Sequence, residues 1–113
     1  MVKPCVRKLY SFLRFKENWN GYGAAPFSPQ LIQKVTELMA ALPYDPEVFP
    51  IADGQVQLEY EKANGEYLEF EIGQSDDGFI VNGYKICADG EEEKWTQALN
   101  VNDIARMVRD FYG

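Results

Sequence analysis

Carboxylates at alternate positions are the densest chemistry in this chain. Glu59 and Glu61 alternate with Leu58 and Tyr60, and Glu69 and Glu71 alternate with Leu68, Phe70 and Ile72. A period of two puts like residues on one side of a strand, so each segment has an acidic and an apolar face. Grouped carboxylates serve acid–base catalysis, coordination of a divalent cation, or docking of a basic partner. Glycosidase-type catalysis needs its two carboxyl groups in a cleft, whereas these segments predict a flat, exposed face. Oxygen ligands on such a face rarely converge on one ion. Solvation of the face and docking of a basic partner are the readings left for Gln57, Glu59, Glu61, Glu69 and Glu71.

The chain has no histidine. Nucleophile pairs that rely on imidazole are excluded, as is any zinc site built on it. Acid–base work falls to carboxylates, tyrosines or lysines, and no catalytic, cofactor or metal residue stands out. Asp76-Asp77-Gly78 and Asp89-Gly90-Glu91 lack the alternating ligands and closing glutamate of a calcium loop and read as turns. Cys5 and Cys87 read as small buried apolar groups rather than a disulfide.

Charge is unevenly spread. Residues 1–17 carry Lys3, Arg7, Lys8, Arg14 and Lys16 against Glu17, a net of +4, which leaves −11 for the rest of a chain totalling −7. An acidic body disfavours direct binding to nucleic acid or to an anionic membrane. The basic first segment suits either an acidic partner or the chain's own acidic face. With no membrane-length apolar run and no signal-peptide pattern, a cytoplasmic location is expected.

The elements that must position these residues follow from periodicity. Pro4 opens a helix over residues 4–17, with Val6, Leu9, Tyr10 and Leu13 on one face and Phe12 and Phe15 widening it. Ser28 caps a second helix whose stripe is Leu31, Ile32, Val35, Leu38, Met39 and Leu42, and Pro43 ends it. Pro43, Pro46 and Pro50 stiffen the link that follows, with Val48 and Phe49 forming a short edge strand.

Asn64-Gly65 marks a hairpin turn, and the apolar pattern selects its length. A two-residue loop sets Leu58 opposite Glu71 on one face. A three-residue loop, Ala63-Asn64-Gly65, sets Val56, Leu58 and Tyr60 opposite Ile72, Phe70 and Leu68. The second register is expected, and it places Glu59 directly opposite Glu69. Lys62 or Lys85 is then the candidate to neutralise the pair.

Ser75-Asp76-Asp77-Gly78 turns the chain into a strand from Phe79 to Cys87, where Asn82-Gly83 reads as a bulge or a tight turn. Asp89 to Glu93 reads as a polar loop. Asn100 and Asp103 form a capping box for a last helix with Val101, Ile104, Ala105, Val108 and Phe111 on its buried face. The expectation is a single α+β domain over residues 1–113 in two layers. An antiparallel meander of three to five strands is covered on one face by helices, in the order α-α-β-β-β-α.

Asn18-Trp19-Asn20-Gly21-Tyr22-Gly23-Ala24-Ala25-Pro26 joins the first two helices. It lacks the lysine and hydroxyl of a phosphate loop. Trp19 reads as a buried corner anchor, leaving Tyr22 to meet a partner. With Ser28, this stretch resembles the N-W-[DN]-G-Y-G-A-x-P-x-S opening of a group of small uncharacterised bacterial and phage proteins. The resemblance continues through Leu42-Pro43, Pro50, Asp53-Gly54, Val56-Gln57-Leu58-Glu59-Tyr60 and Leu68-Glu69-Phe70-Glu71-Ile72, with Tyr60 where that group commonly has tryptophan. It implies a bacterial or mobile-element setting and brings no activity.

The function expected is a non-enzymatic protein-binding module of the antitoxin, immunity or phage-inhibitor kind. Its surface is Tyr22 with Gln57, Glu59, Glu61, Glu69 and Glu71, and its partner is a protein with a basic surface. The alternatives are a nucleic-acid mimic occupying a DNA-binding groove and an enzyme based on carboxylates or tyrosine.

Overall fold

Strand pairing organises the molecule, and the hairpin at Asn64 sets it. A computed structural model describes residues 3–76 and 78–113. β2 (Val56–Glu61) and β3 (Tyr67–Ser75) pair antiparallel with Leu58 opposite Phe70 and Glu59 opposite Glu69. Gly65 takes the left-handed conformation at the loop end, where its N–H reaches the Lys62 carbonyl at 3.0 Å. The register chosen by burial is the one observed.

β1 (Glu47–Pro50) flanks β2 as the expected short edge strand, while β4 (Gly78–Ile86) and β5 (Glu92–Leu99) extend the other side. The result is a five-stranded antiparallel meander in the order β1-β2-β3-β4-β5. Of the predicted turn before β4, Asp77 lies outside the described residues.

α1 (Pro4–Ser11), α2 (Pro29–Ala41) and α3 (Val101–Tyr112) supply the second layer. Val56, Leu58, Leu68, Phe70, Ile72 and Val81 on the inner face of the sheet share one core with Leu9, Leu31, Val35, Leu38, Ile104 and Val108 from the helices. The architecture is the expected α+β two-layer fold, with the full order α-α-β-β-β-β-β-α. Among the described residues no helix is long and apolar enough to cross a membrane.

Four local expectations are corrected. The first helix stops at Ser11 and tightens into a 3-10 turn over Phe12–Arg14, with Phe15 extended. The buried side of this segment runs through Leu9 and Phe12, three residues apart, which leaves Tyr10 and Leu13, the residues next to them, about half exposed.

Asn82-Gly83 is neither bulge nor turn, because β4 pairs without interruption on both sides. Gly83 is required by its neighbour: a Cβ there would lie 2.2 Å from the ring of Trp95, which covers it from β5. The polar loop ends early, with Glu92 and Glu93 already paired in β5. Cys5 and Cys87 are free and only partly buried. Burial, then the nearby Asp45 charge, pushes the Cys5 thiol up, which keeps it unreactive.

α3 starts on the expected capping box. The Asn100 side chain accepts from Asp103 N–H at 2.8 Å, and the Asp103 carboxylate accepts from Asn100 N–H at 3.1 Å. Asn100→Ala should lower stability by about 1 kcal/mol in denaturant melts. An unchanged midpoint would mean that the cap contributes nothing.

Candidate functional site

The outer face of the sheet carries the carboxylates in cross-strand rows. One row runs Glu47, Glu59, Glu69, Tyr84 and Lys94 from β1 to β5, and the next runs Phe49, Gln57, Glu71, Asn82 and Thr96. Three glutamates from adjacent strands are thus neighbours in one line. Directly opposed like charges destabilise a strand pair by a few tenths to roughly 1 kcal/mol.

Neither expected lysine relieves this. Lys62 bonds the Glu66 carboxylate at 2.9 Å and lies over the Phe111 ring, while Lys85 sits opposite Leu68 on the inner face. Tyrosines take that place. The Tyr67 hydroxyl lies between Glu59 and Glu69, bonded to Glu59 and 2.7 Å from Glu69 Oε1. Gln57 Nε2 donates to the same Glu69 oxygen at 3.3 Å. Tyr84 donates to Glu92, and the Lys94 ammonium lies 5.5 Å from the centre of the Tyr84 ring.

A phenol has one proton, so Tyr67 satisfies only one of the two carboxylates at a time. Burial, then the two carboxylates, pushes the Tyr67 phenol above its ordinary value and keeps it a donor at neutral pH. With Gln57 donating to Glu69, each carboxylate has a neutral donor, but among the described residues neither has a cation within 4 Å.

The face is not flat, and Gln57, Glu59, Glu69 and Glu71 are half-buried rather than exposed. The Glu59–Tyr67–Glu69 bridge divides two depressions. A small one of about 210 Å³ is lined by Asp45, Glu47, Glu59, Glu61, Tyr67 and Tyr112. A wider trough of about 680 Å³ runs over Glu69, Glu71, Asn82, Tyr84, Lys94 and Thr96. Tyr67 shares a face with the glutamates by simple alternation, which the sequence contains. Asp45 and Glu47 join through β1 pairing, for which the sequence offers no comparable pattern.

Tyr22 stands at the tip of a loop locked from within. Asn18 takes a left-handed backbone and its side chain accepts from Gly23 N–H at 2.6 Å, while Asn20 Oδ1 accepts from Tyr22 N–H at 2.8 Å and Ala24 N–H at 3.2 Å. Gly21 and Gly23 also have positive φ, which a side chain would strain. Trp19 is the expected anchor, though only partly buried: its N–H donates to the Ala25 carbonyl at 2.7 Å, and its ring packs on Phe15 and Phe27. Tyr22 is left 93% exposed, with its backbone fixed.

The loop also reaches the sheet at the β1–β2 turn. Ala25 N–H donates to the Ala52 carbonyl at 2.7 Å, tying the loop to the β1–β2 turn. Asp53 of that turn is close enough to Glu71 to act on its charge. Burial first, then Glu69 and Asp53, holds the Glu71 carboxyl above its usual range.

The sign of that shift gives a pH prediction. A raised native pKa means that the native state binds more protons than the unfolded chain, so stability falls as pH rises through the window from the ordinary carboxylate value to the raised one. Glu71→Gln should therefore raise the melting temperature at pH 7, and the gain should vanish below about pH 4. An equal gain at both values would locate its cause elsewhere.

Comparison with protein families, with curated proteins and with solved structures finds no match for this chain.

Proposed function

We propose that this protein is a non-enzymatic binding module that docks a basic surface of another protein onto the Glu59–Tyr67–Glu69 bracket, with Tyr22 as a preset aromatic anchor. The observation that carries the reading is the bracket itself. Two carboxylates lie side by side on neutral donors alone, and among the described residues neither forms an ion pair within 4 Å, so an arginine or lysine head from outside supplies the missing countercharge. Arginine fits best, because its planar fork bonds carboxylates at two points.

The small depression beside the bracket offers Glu47 and Glu61 to the same cation, its Asp45 being held by Lys3 at 3.0 Å, and Tyr67 and Tyr112 as aromatic walls. An acidic surface also speeds encounter with a basic partner. The roles open to such a module are those of an antitoxin, an immunity protein or a phage-encoded inhibitor.

Capture from host lysate by the wild type and by a Glu59→Lys, Glu69→Lys, Glu71→Lys variant tests this. Partners recovered by the wild type should be missing from the variant. Recovery of the same proteins by both would end the reading.

A further inference from the structure

The two edges of the sheet differ in how they are closed. β1 is four residues long, follows Pro46 and contains Pro50, and α1 packs against it with the Lys8 ammonium 4.2 Å from the centre of the Phe49 ring. Proline, short length and a covering helix all block pairing at an edge. β5 has none of these. It is eight residues long and unbroken, with Glu92, Glu93, Lys94, Thr96, Gln97 and Ala98 exposed and Trp95 half-buried.

The hairpin loop determines which backbone groups of β5 face outward. Cys87 N–H bonds the Glu91 carbonyl at 2.8 Å and begins the ladder. By alternation Glu93, Trp95, Gln97 and Leu99 turn their N–H and C=O groups toward β4. Those of Glu92, Lys94, Thr96 and Ala98 point away from the sheet.

We propose that β5 is a self-pairing edge, through which two copies of this chain join antiparallel about a two-fold axis at Trp95. A two-fold axis perpendicular to the sheet keeps both helix layers on the same side, so the register must centre on a residue. Centring on Lys94 sets two ammonium groups opposite each other. Centring on Thr96 leaves Glu92 without a strand partner.

Centring on Trp95 places Lys94 opposite Thr96, Glu92 opposite Ala98 and Glu93 opposite Gln97. Every outward donor and acceptor of β5 is then paired, and no like charges are directly opposed. The two Trp95 residues meet as a non-hydrogen-bonded pair, where side chains approach most closely. Each indole already lies over Gly83, with its N–H buried and without a protein partner.

Beside Trp95, between β5 and α3, a cavity of about 320 Å³ is lined by Leu68, Met107 and Phe111, with Glu93 and Gln97 among its polar lining residues. The second copy's β5 would run along this side of the sheet, continuing the wall that Trp95 and Gln97 begin. The result is a ten-stranded sheet whose acidic outer face and Tyr22 loop stay free. The pairing is therefore independent of the basic-partner reading.

Sedimentation of the full chain tests the pairing. The wild type should sediment at twice the chain mass, falling toward one chain on dilution. Thr96→Pro removes an N–H that points outward and so breaks no backbone bond to β4, losing only the exposed hydroxyl's bond to Asn82 at 2.7 Å. It should sediment as a single chain with an unchanged far-ultraviolet spectrum.

Amide exchange of the wild type gives a second readout should that variant not fold. Lys94, Thr96 and Ala98 should exchange roughly tenfold more slowly in concentrated than in dilute solution. A wild type of single-chain mass at its highest soluble concentration would overturn the proposal. So would a folded Thr96→Pro variant of doubled mass, or outward amides that exchange as fast as those of exposed loops.

Discussion

Gly83→Val should destabilise the protein by about 2–3 kcal/mol, the cost of forcing a branched side chain into occupied space. At this chain length that lowers the melting temperature by roughly 8–12 °C. The space is occupied by one side chain: a Cβ on Gly83 would lie 2.2 Å from two atoms of the Trp95 ring. Backbone freedom is not the reason for this glycine, which sits in a straight strand paired on both sides. Valine itself suits a strand, so propensity alone predicts the opposite sign. Trp95 must leave, and its fluorescence should shift toward that of an indole in water. In a Trp95→Ala background the same substitution should cost far less, because the clash is gone. A Gly83→Val chain that melts with the wild type would remove Trp95 as the reason for Gly83.

The second large effect falls on binding. Reversing Glu59, Glu69 and Glu71 together replaces three neighbouring carboxylates of the outer face with ammonium groups. Against a basic partner the variant should lose affinity by several kcal/mol, because each attractive pair becomes a repulsive one. Stability should fall by much less, about 1 kcal/mol, because the variant gives up the Tyr67 and Gln57 hydrogen bonds to Glu59 and Glu69 while the repulsion across that pair stays in kind. Tyr22→Ala should act differently. It removes an anchor that touches nothing in the free protein, so a loss of about 2 kcal/mol in affinity is expected with an unmoved melting temperature. Salt separates the two. The carboxylate contribution should fade as ionic strength rises, whereas the Tyr22 contribution should persist.

The architecture was legible where burial imposes a period. Val56, Leu58 and Tyr60 can face Leu68, Phe70 and Ile72 in only one register, and that register fixed both the loop length and the position of Glu59 against Glu69. The stripe from Leu31 to Leu42 gave α2 for the same reason, since all six of its apolar residues are buried. β5 escaped notice because an edge strand with charges on both faces has no period to read: Glu93 lies on the inner face and Glu92 on the outer. The end of the first helix is not legible, because Phe12, Leu13 and Phe15 continue the apolar stripe although the chain tightens at Phe12.

Of the candidate site, the glutamates and Tyr22 were readable as residues but not as a surface. The loop is tied to the β1–β2 turn by the Ala25–Ala52 hydrogen bond, a long-range consequence of the fold. Charge pattern alone points to lysines as the neutralising groups. The sheet instead places Tyr67 between the two glutamates and sends Lys62 to Glu66.

The central claim is that a basic partner docks on the bracket and on Tyr22 together. Amide exchange of the protein with its captured partner bound reads this residue by residue. Slowed exchange should run from the Asn20–Gly23 loop to the strand segments carrying Gln57, Glu59, Tyr67, Glu69 and Glu71, leaving the exposed sides of α2 and α3 unchanged. Protection confined to those helices, with the outer sheet face exchanging as in the free protein, would contradict it.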